Sequence, residues 1–139
     1  YFEDGREAKI FNVRDGLGVK LWLASGGNMA LLSGRESKAV MMRALELGIR
    51  IVKQGVSDKL KAFEEILMQA HCKAEDVLYV GDDLPDLDVF KVAGLSAALN
   101  DACPEMKSRA DFILKSKGGE VAIREVCELL LKSRGAWKV

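Results

Sequence analysis

Short apolar runs at residues 29–32, 49–52, 77–80, 95–99 and 112–114 have the length and composition of strands buried on both faces. The stretches between them carry apolar residues every three or four positions, which is the spacing of helices with one buried stripe. Asp15 suits an N-cap for a helix reaching residue 25, which Gly26 and Gly27 would end. A helix over residues 37–47 stops at Gly48, and Asp58 caps another that carries Leu60, Phe63, Ile66 and Leu67 on one face. A short helix is expected over residues 87–92, and Pro104 opens one more helical turn. The most amphipathic helix covers residues 121–131, ahead of a polar tail at residues 132–139. Residues 1–13 read as a β-hairpin turning at Glu3-Asp4-Gly5, so the chain begins inside a hairpin. This alternation predicts the α/β class, a Rossmann-like three-layer fold with one parallel sheet and helices on both faces.

The pattern has no internal repeat, and only two prolines interrupt it, so residues 1–139 are expected to form a single domain. Hydrophobic residues make up 49% of the chain, enough for a substantial core. Twenty-one basic and 21 acidic side chains cancel. That balance provides no electrostatic footprint for nucleic acid or an anionic membrane and favours a small polar substrate. No apolar run approaches the roughly 18 residues of a membrane span, and no signal-peptide pattern opens the chain. Cys72, Cys103 and Cys127 are odd in number and lack metal-binding spacing, which argues against disulfides and zinc and fits a cytoplasmic protein.

In a doubly wound sheet, ligands bind beyond the carboxyl ends of the strands. Three of those ends are polar: Ser33-Gly34-Arg35, the helix start at Lys59, and Gly81-Asp82-Asp83-Leu84-Pro85-Asp86. Taken alone, Ser33 is an ordinary turn residue and Lys59 an ordinary surface lysine. Lys59 nevertheless stands at the positive end of its helix, an unfavourable place for a cation. Asp82, Asp83 and Asp86 crowd carboxylates together, and that repulsion needs a cation or hydrogen-bond donors to offset it. An all-oxygen set suits Mg2+ better than zinc. The single histidine, His71, lies elsewhere and reads as an ordinary side chain near a helix end. Together, a serine hydroxyl with nearby amides, a lysine and metal-binding aspartates neutralise a phosphoryl group, so the reaction class is phosphoryl transfer. Arg14 and Arg35 suit a substrate carboxylate or phosphate through bidentate contacts, unless Arg14 simply pairs with Asp15. Lys117-Gly118-Gly119 is a weaker candidate for the site wall.

The order strand-Ser-Gly-Arg, then Lys, then Gly-Asp-Asp-x-x-Asp resembles the second, third and fourth motifs of haloacid dehalogenase-like phosphatases. FNVRDGLGVKL at 11–21, QGVSDKL at 54–60, GDDLPD at 81–86 and KGGEVAIREVCELLL at 117–131 resemble the 3-deoxy-D-manno-octulosonate 8-phosphate phosphatases. The resemblance implies that Ser33 holds the transferring phosphoryl group, Lys59 bridges phosphate and nucleophile, and Asp82 ligates Mg2+ with support from Asp83 and Asp86. It further implies an aspartyl-phosphate intermediate formed by an Asp-x-Asp pair on a strand ahead of the hairpin. That segment is expected to precede Tyr1. Asp4 lies in a turn, and Asp15 follows Asn12-Val13-Arg14 and has Leu17 two positions on, so neither replaces it.

By the same resemblance there is no large cap domain, and the hairpin at residues 1–13 helps cover the site at a subunit interface of a homotetramer. The substrate would be a small phosphorylated sugar acid, foremost 3-deoxy-D-manno-octulosonate 8-phosphate, in lipopolysaccharide biosynthesis. A receiver domain of two-component signalling uses similar residues but places its acidic pair before serine and lysine, so the order here excludes it. The alternative is a catalytically inactive phosphatase-like oligomerisation domain associated with a sugar-nucleotide synthetase, which predicts no stabilisation by Mg2+.

Overall fold

The computed structural model describes residues 1–138; Val139, the last residue of the expected tail, lies outside the described residues. The first helix, α1 (Val13–Ala24), starts earlier than Asp15 because Asn12 takes the cap. Asn12 is extended (φ −76°, ψ 127°) and its Oδ1 accepts the Arg14 N–H at 2.9 Å, satisfying a donor that the helix start leaves free. Asp15 is thereby released to accept the backbone N–H of Arg124, 2.8 Å away in the first turn of the last helix.

The chain continues through β1 (Ala30–Leu32), α2 (Lys38–Leu47), β2 (Ile51–Lys53) and α3 (Lys59–Ala70). After a 3-10 turn at Ala74–Asp76 come β3 (Leu78–Gly81), a second 3-10 turn at Leu84–Asp86, α4 (Leu87–Phe90), β4 (Leu95–Ala98), α5 (Pro104–Arg109), β5 (Phe112–Ile113) and α6 (Ala122–Ser133). Ser37 caps α2 and Asp58 caps α3, the latter accepting the Lys61 N–H at 3.0 Å. Gly48, at φ +84°, ends α2 in the left-handed conformation that a glycine adopts without strain. His71 ends α3 in the same region.

All strands pair in parallel, as the alternation predicts, but they form two sheets where one was expected. β1 pairs with β2, placing Leu31 opposite Val52; β4 lies between β3 and β5, with Ala97 opposite both Val80 and Phe112. Helices unite the two sheets. α1 packs against α6 closely enough that a Cβ on Gly18 would lie 2.9 Å from the Arg124 Cα. Trp22, Cys127 and Leu131 fill the seam between these helices. On one side lies a core of Val19, Ala44 and Ile49, and on the other a core of Ala97, Leu114, Ala122 and Val126. Each of the buried valine, leucine and isoleucine side chains contributes about 1.5–3 kcal/mol.

Residues 1–13 also depart from expectation. The turn is present, with the Phe2 N–H bonded to Arg6 O at 2.8 Å and the Gly5 N–H to Phe2 O at 2.9 Å, but no strand forms there. Side chains anchor the segment instead, as described for the site below. At the other end the polar tail is less polar than expected, because Trp137 packs beside Leu131 under the cations of Arg124 and Lys132, 4.9 and 5.3 Å from its ring centre. Among the described residues no helix is long and apolar enough to cross a membrane.

One surface carboxylate ties β4 to the start of β5. Asp111 Oδ2 accepts both the N–H and the hydroxyl of buried Ser96, each at 2.7 Å. The Ser96 hydroxyl bond, then its backbone bond, holds the Asp111 pKa below the usual carboxylate value. A carboxylate depressed by folding stabilises above its unfolded pKa of about 3.9 and loses that contribution as pH falls through its lower folded value. Asp111→Asn should therefore melt below the wild type at neutral pH, with the gap closing below about pH 4. Thermal unfolding of both proteins from neutral to acid pH measures this; a constant gap would exclude the charge as its origin.

Candidate active site

The site is built on the carboxyl end of β3. Gly81 closes that strand, and a Cβ there would sit 2.8 Å from the Asp86 Cβ, so the chain can pass over Asp86 only as glycine. Asp86 is 2% exposed and faces inward. Its Oδ1 accepts the Lys59 ammonium at 2.5 Å and the Tyr79 hydroxyl at 2.6 Å. Its Oδ2 accepts the N–H groups of Asp82 at 3.3 Å and Asp83 at 3.5 Å. An ion pair this deep is tolerable because hydrogen bonds occupy the remaining lone pairs. The Tyr79 ring stands edge-on to Phe63 and Phe90, with centroids 5.9 and 6.0 Å away. Burial first, and then the Asp86 carboxylate, push the Tyr79 pKa far above that of a free phenol, so its proton remains available to Asp86.

The three aspartates thus divide. The sequence placed all of them around a cation, but Asp86 is spent on Lys59, Tyr79 and two amides, because a carboxylate beneath the loop finds donors where one on its surface finds water. Asp83 turns its Oδ1 to the Leu84 N–H at 2.8 Å and caps the 3-10 turn. Asp82 remains exposed at the mouth of the site, while its backbone oxygen accepts the Cys103 N–H at 3.0 Å. Partial desolvation and then the Asp86 carboxylate raise its pKa, against the pull of Lys59. A crowded carboxylate next to a second one favours a bound cation, which fits a hard metal ion with oxygen ligands. Among the described residues no three His, Cys, Asp or Glu side chains converge by themselves into a metal site.

Ser33 extends the β1 ladder by one bond, its N–H reaching Lys53 O at 2.9 Å, and its carbonyl accepts the Val56 N–H at 3.3 Å. Its hydroxyl donates to Arg35 O at 2.9 Å and accepts the Arg35 N–H at 3.1 Å. Gly34 crosses Val56 closely, since a Cβ would lie 3.4 Å from the Val56 carbonyl oxygen. The loop bearing Val56 leads into Lys59, so the Ser33 loop and the Lys59 helix start share one wall. Arg35 donates to the Tyr1 hydroxyl at 2.6 Å, and Glu7 accepts from the hydroxyl of buried Ser37, whose N–H bonds Gln54 Oε1 at 3.0 Å. Tyr1 and Glu7 therefore anchor residues 1–9 over the loop at 33–37. Nothing in the sequence marked Tyr1, Glu7 or Tyr79 for these roles; a lone tyrosine in an apolar strand run was the only available signal.

Arg14 is exposed, and among the described residues its side chain makes no ion pair, with Asp15 or any other acid. No hydrogen bond ties it to Ser33, Lys59 or Asp82. Asp4 pairs with Arg6 at 2.6 Å and Asp15 is engaged with Arg124, so both are committed to local structure. In the segment Lys117-Gly118-Gly119, the Gly118 N–H bonds Asp101 Oδ1 at 2.9 Å, and no hydrogen bond ties these residues to Ser33, Lys59 or Asp82.

The chain is similar to known proteins along most of its length. The haloacid dehalogenase-like hydrolase profile matches residues 22–122. The chain is 46% identical over 132 residues to the 3-deoxy-D-manno-octulosonate 8-phosphate phosphatase KdsC of Escherichia coli K12, covering 95% of this chain and 70% of that protein. The structure of the corresponding Yersinia pestis phosphatase is similar with a TM-score of 0.95 at 42% identity, covering 97% of this chain and 73% of that one. The Moraxella catarrhalis phosphatase, solved with a magnesium ion, a phosphate ion and a KDO molecule, gives 0.92 at 40% identity, covering 96% and 76%. With this identity over most of its length on the same α/β framework, the chain belongs to the 3-deoxy-D-manno-octulosonate 8-phosphate phosphatases, a family of haloacid dehalogenase-like phosphoric monoester hydrolases.

Proposed function

We propose that this chain provides the phosphate- and metal-binding part of an enzyme that hydrolyses the phosphate monoester of a keto-sugar acid, foremost 3-deoxy-D-manno-octulosonate 8-phosphate, with Mg2+ as cofactor. The observation that carries this reading is Lys59, held at 2.5 Å by buried Asp86 beside the carboxylate of Asp82. An ammonium so placed neutralises a phosphoryl oxygen without having to be ordered during reaction. The Ser33 hydroxyl and the Gly34 amide bind the other phosphoryl oxygens, at the end of β1. Asp82, helped by Asp83, holds Mg2+, which supplies charge neutralisation and orientation of the phosphate. Arg14 and Arg35 are assigned to the sugar-acid carboxylate. The attacking aspartate of the family mechanism is assigned to none of the described residues, since Asp4 and Asp15 are engaged elsewhere.

Exposed Ile10, Val13, Leu17, Met42 and Leu45 support a subunit interface around α1 and α2, in keeping with a homotetramer. Neutral overall charge and the free cysteines suit a cytoplasmic setting. Phosphate release from 3-deoxy-D-manno-octulosonate 8-phosphate should require Mg2+, and Mg2+ alone should raise the melting temperature of the wild type but not of Asp82→Asn. Release without Mg2+ would remove the metal from the reading. Neither release nor Mg2+ stabilisation would leave the inactive oligomerisation domain in its place.

A further inference from the structure

We infer that Tyr79 is a positioning residue for this hydrolysis, its hydroxyl fixing the rotation of the Asp86 carboxylate and, through it, the Lys59 ammonium. The inference rests on the phosphatase reading above and adds a residue to it. Asp86 sits in a single 3-10 turn, and the last torsion of an aspartate is broad, so a carboxylate there has no direction of its own. Lys59 cannot supply one, because its four-carbon stem is the flexible partner. The amide bonds to Oδ2, at 3.3 and 3.5 Å, are long and guide it only weakly.

The Tyr79 bond differs on each count. It is 2.6 Å long, it meets the same oxygen that Lys59 meets, and its donor is a rigid ring. That ring rises from β3 and is held edge-on by Phe63 of α3 and Phe90 of α4. One side chain thus refers the position of the ammonium to the strand that leads into Asp82, to the helix bearing Lys59 and to α4. Burial keeps the phenol protonated, so it remains a donor across the working range of pH. An ammonium displaced by about 1 Å from a reacting phosphoryl group costs up to a hundredfold in rate, which makes such a restraint consequential.

Tyr79→Phe removes the hydroxyl and keeps the ring. It should lower kcat at saturating Mg2+ about tenfold or more with KM within about twofold. The Mg2+-induced rise in melting temperature should persist, since Asp82 is untouched. Gly94→Ala, which crowds backbone away from the site and leaves the Tyr79 ring and hydroxyl in place, should lower the melting temperature and leave kcat within about twofold. A second readout is independent of turnover. Reductive methylation of Lys59, followed by peptide mass, should accelerate several-fold in Tyr79→Phe, while Lys61, exposed on the same helix, reacts unchanged. A wild type that releases no phosphate while Lys59 still becomes more reactive would overturn the phosphatase reading and keep the restraint. Unchanged Lys59 reactivity in Tyr79→Phe would overturn the restraint, as would an equal loss of kcat in Gly94→Ala.

Discussion

Asp86→Ala is expected to abolish Mg2+-dependent phosphate release and to destabilise the fold by about 3–5 kcal/mol, the cost of removing one partner from a buried ion pair. Lys59, whose side chain is 15% exposed, would keep a charge with no counter-ion, and the Tyr79 hydroxyl would lose its acceptor. The Asp82 and Asp83 amides would be freed together, loosening the loop that presents Asp82. Asp86→Asn separates the two losses. It keeps the shape and an oxygen acceptor, so much of the stability should return, while the missing charge still leaves Lys59 free to move. Urea unfolding and phosphate release on both variants provide the measurement. An alanine variant as stable as the wild type would mean that the pair does not hold the loop; an asparagine variant with full turnover would mean that its charge does not hold Lys59.

The second large effect lies away from the chemistry. Gly94→Ala should cost about 3 kcal/mol and roughly 10 °C in melting temperature, with turnover per folded molecule unchanged. A Cβ at this position would lie 2.1 Å from the Glu75 carbonyl oxygen and 2.9 Å from the Glu75 Cα, both backbone atoms, which cannot swing aside as a side chain would. Gly94 also donates to Ala74 O at 2.8 Å, so relieving the clash would break the bond that docks the entry to β4 on the 3-10 turn before β3. Gly119 makes a useful comparison. It has φ +73° and open space around its Cβ position, so Gly119→Ala carries only conformational strain, about 1 kcal/mol. Thermal melts that ranked Gly119→Ala as equal to or worse than Gly94→Ala would show that backbone crowding at Glu75 is not the controlling term.

Much of this fold is legible residue by residue. The strand runs, the cap at Asp58 and the stop at Gly48 depend on neighbours within about four positions, where the backbone's demands and a side chain's reach can be read together. The candidate site was legible in outline for a related reason. Polar residues directly after apolar strand runs belong at the carboxyl end of a parallel sheet, whatever their partners. Ser33, Lys59 and the aspartates after Gly81 could be gathered from that rule alone.

The errors share one physical cause, which is partners distant in sequence. Asp15 reads as a cap, but Asn12 takes that position and Asp15 bonds to Arg124, 109 residues further on. Residues 1–13 read as a hairpin, but pairing two short strands in water is marginal, and bonds to Arg35 and Ser37 compete successfully with a ladder. Asp82, Asp83 and Asp86 are chemically identical in sequence. Folding alone made one of them an exposed candidate ligand, one a cap and one the buried anchor of Lys59.

The sequence by itself determined the elements, their order, the parallel α/β class and the end of the sheet where chemistry belongs, because these follow from periodicity and local hydrogen-bond demand. The tertiary structure alone decided that the strands divide into two sheets joined by α1 and α6, and that Tyr79 meets Asp86 and Lys59 at one oxygen. Burial and long-range approach set the energy of a charge, and neither is a property of any short stretch of chain.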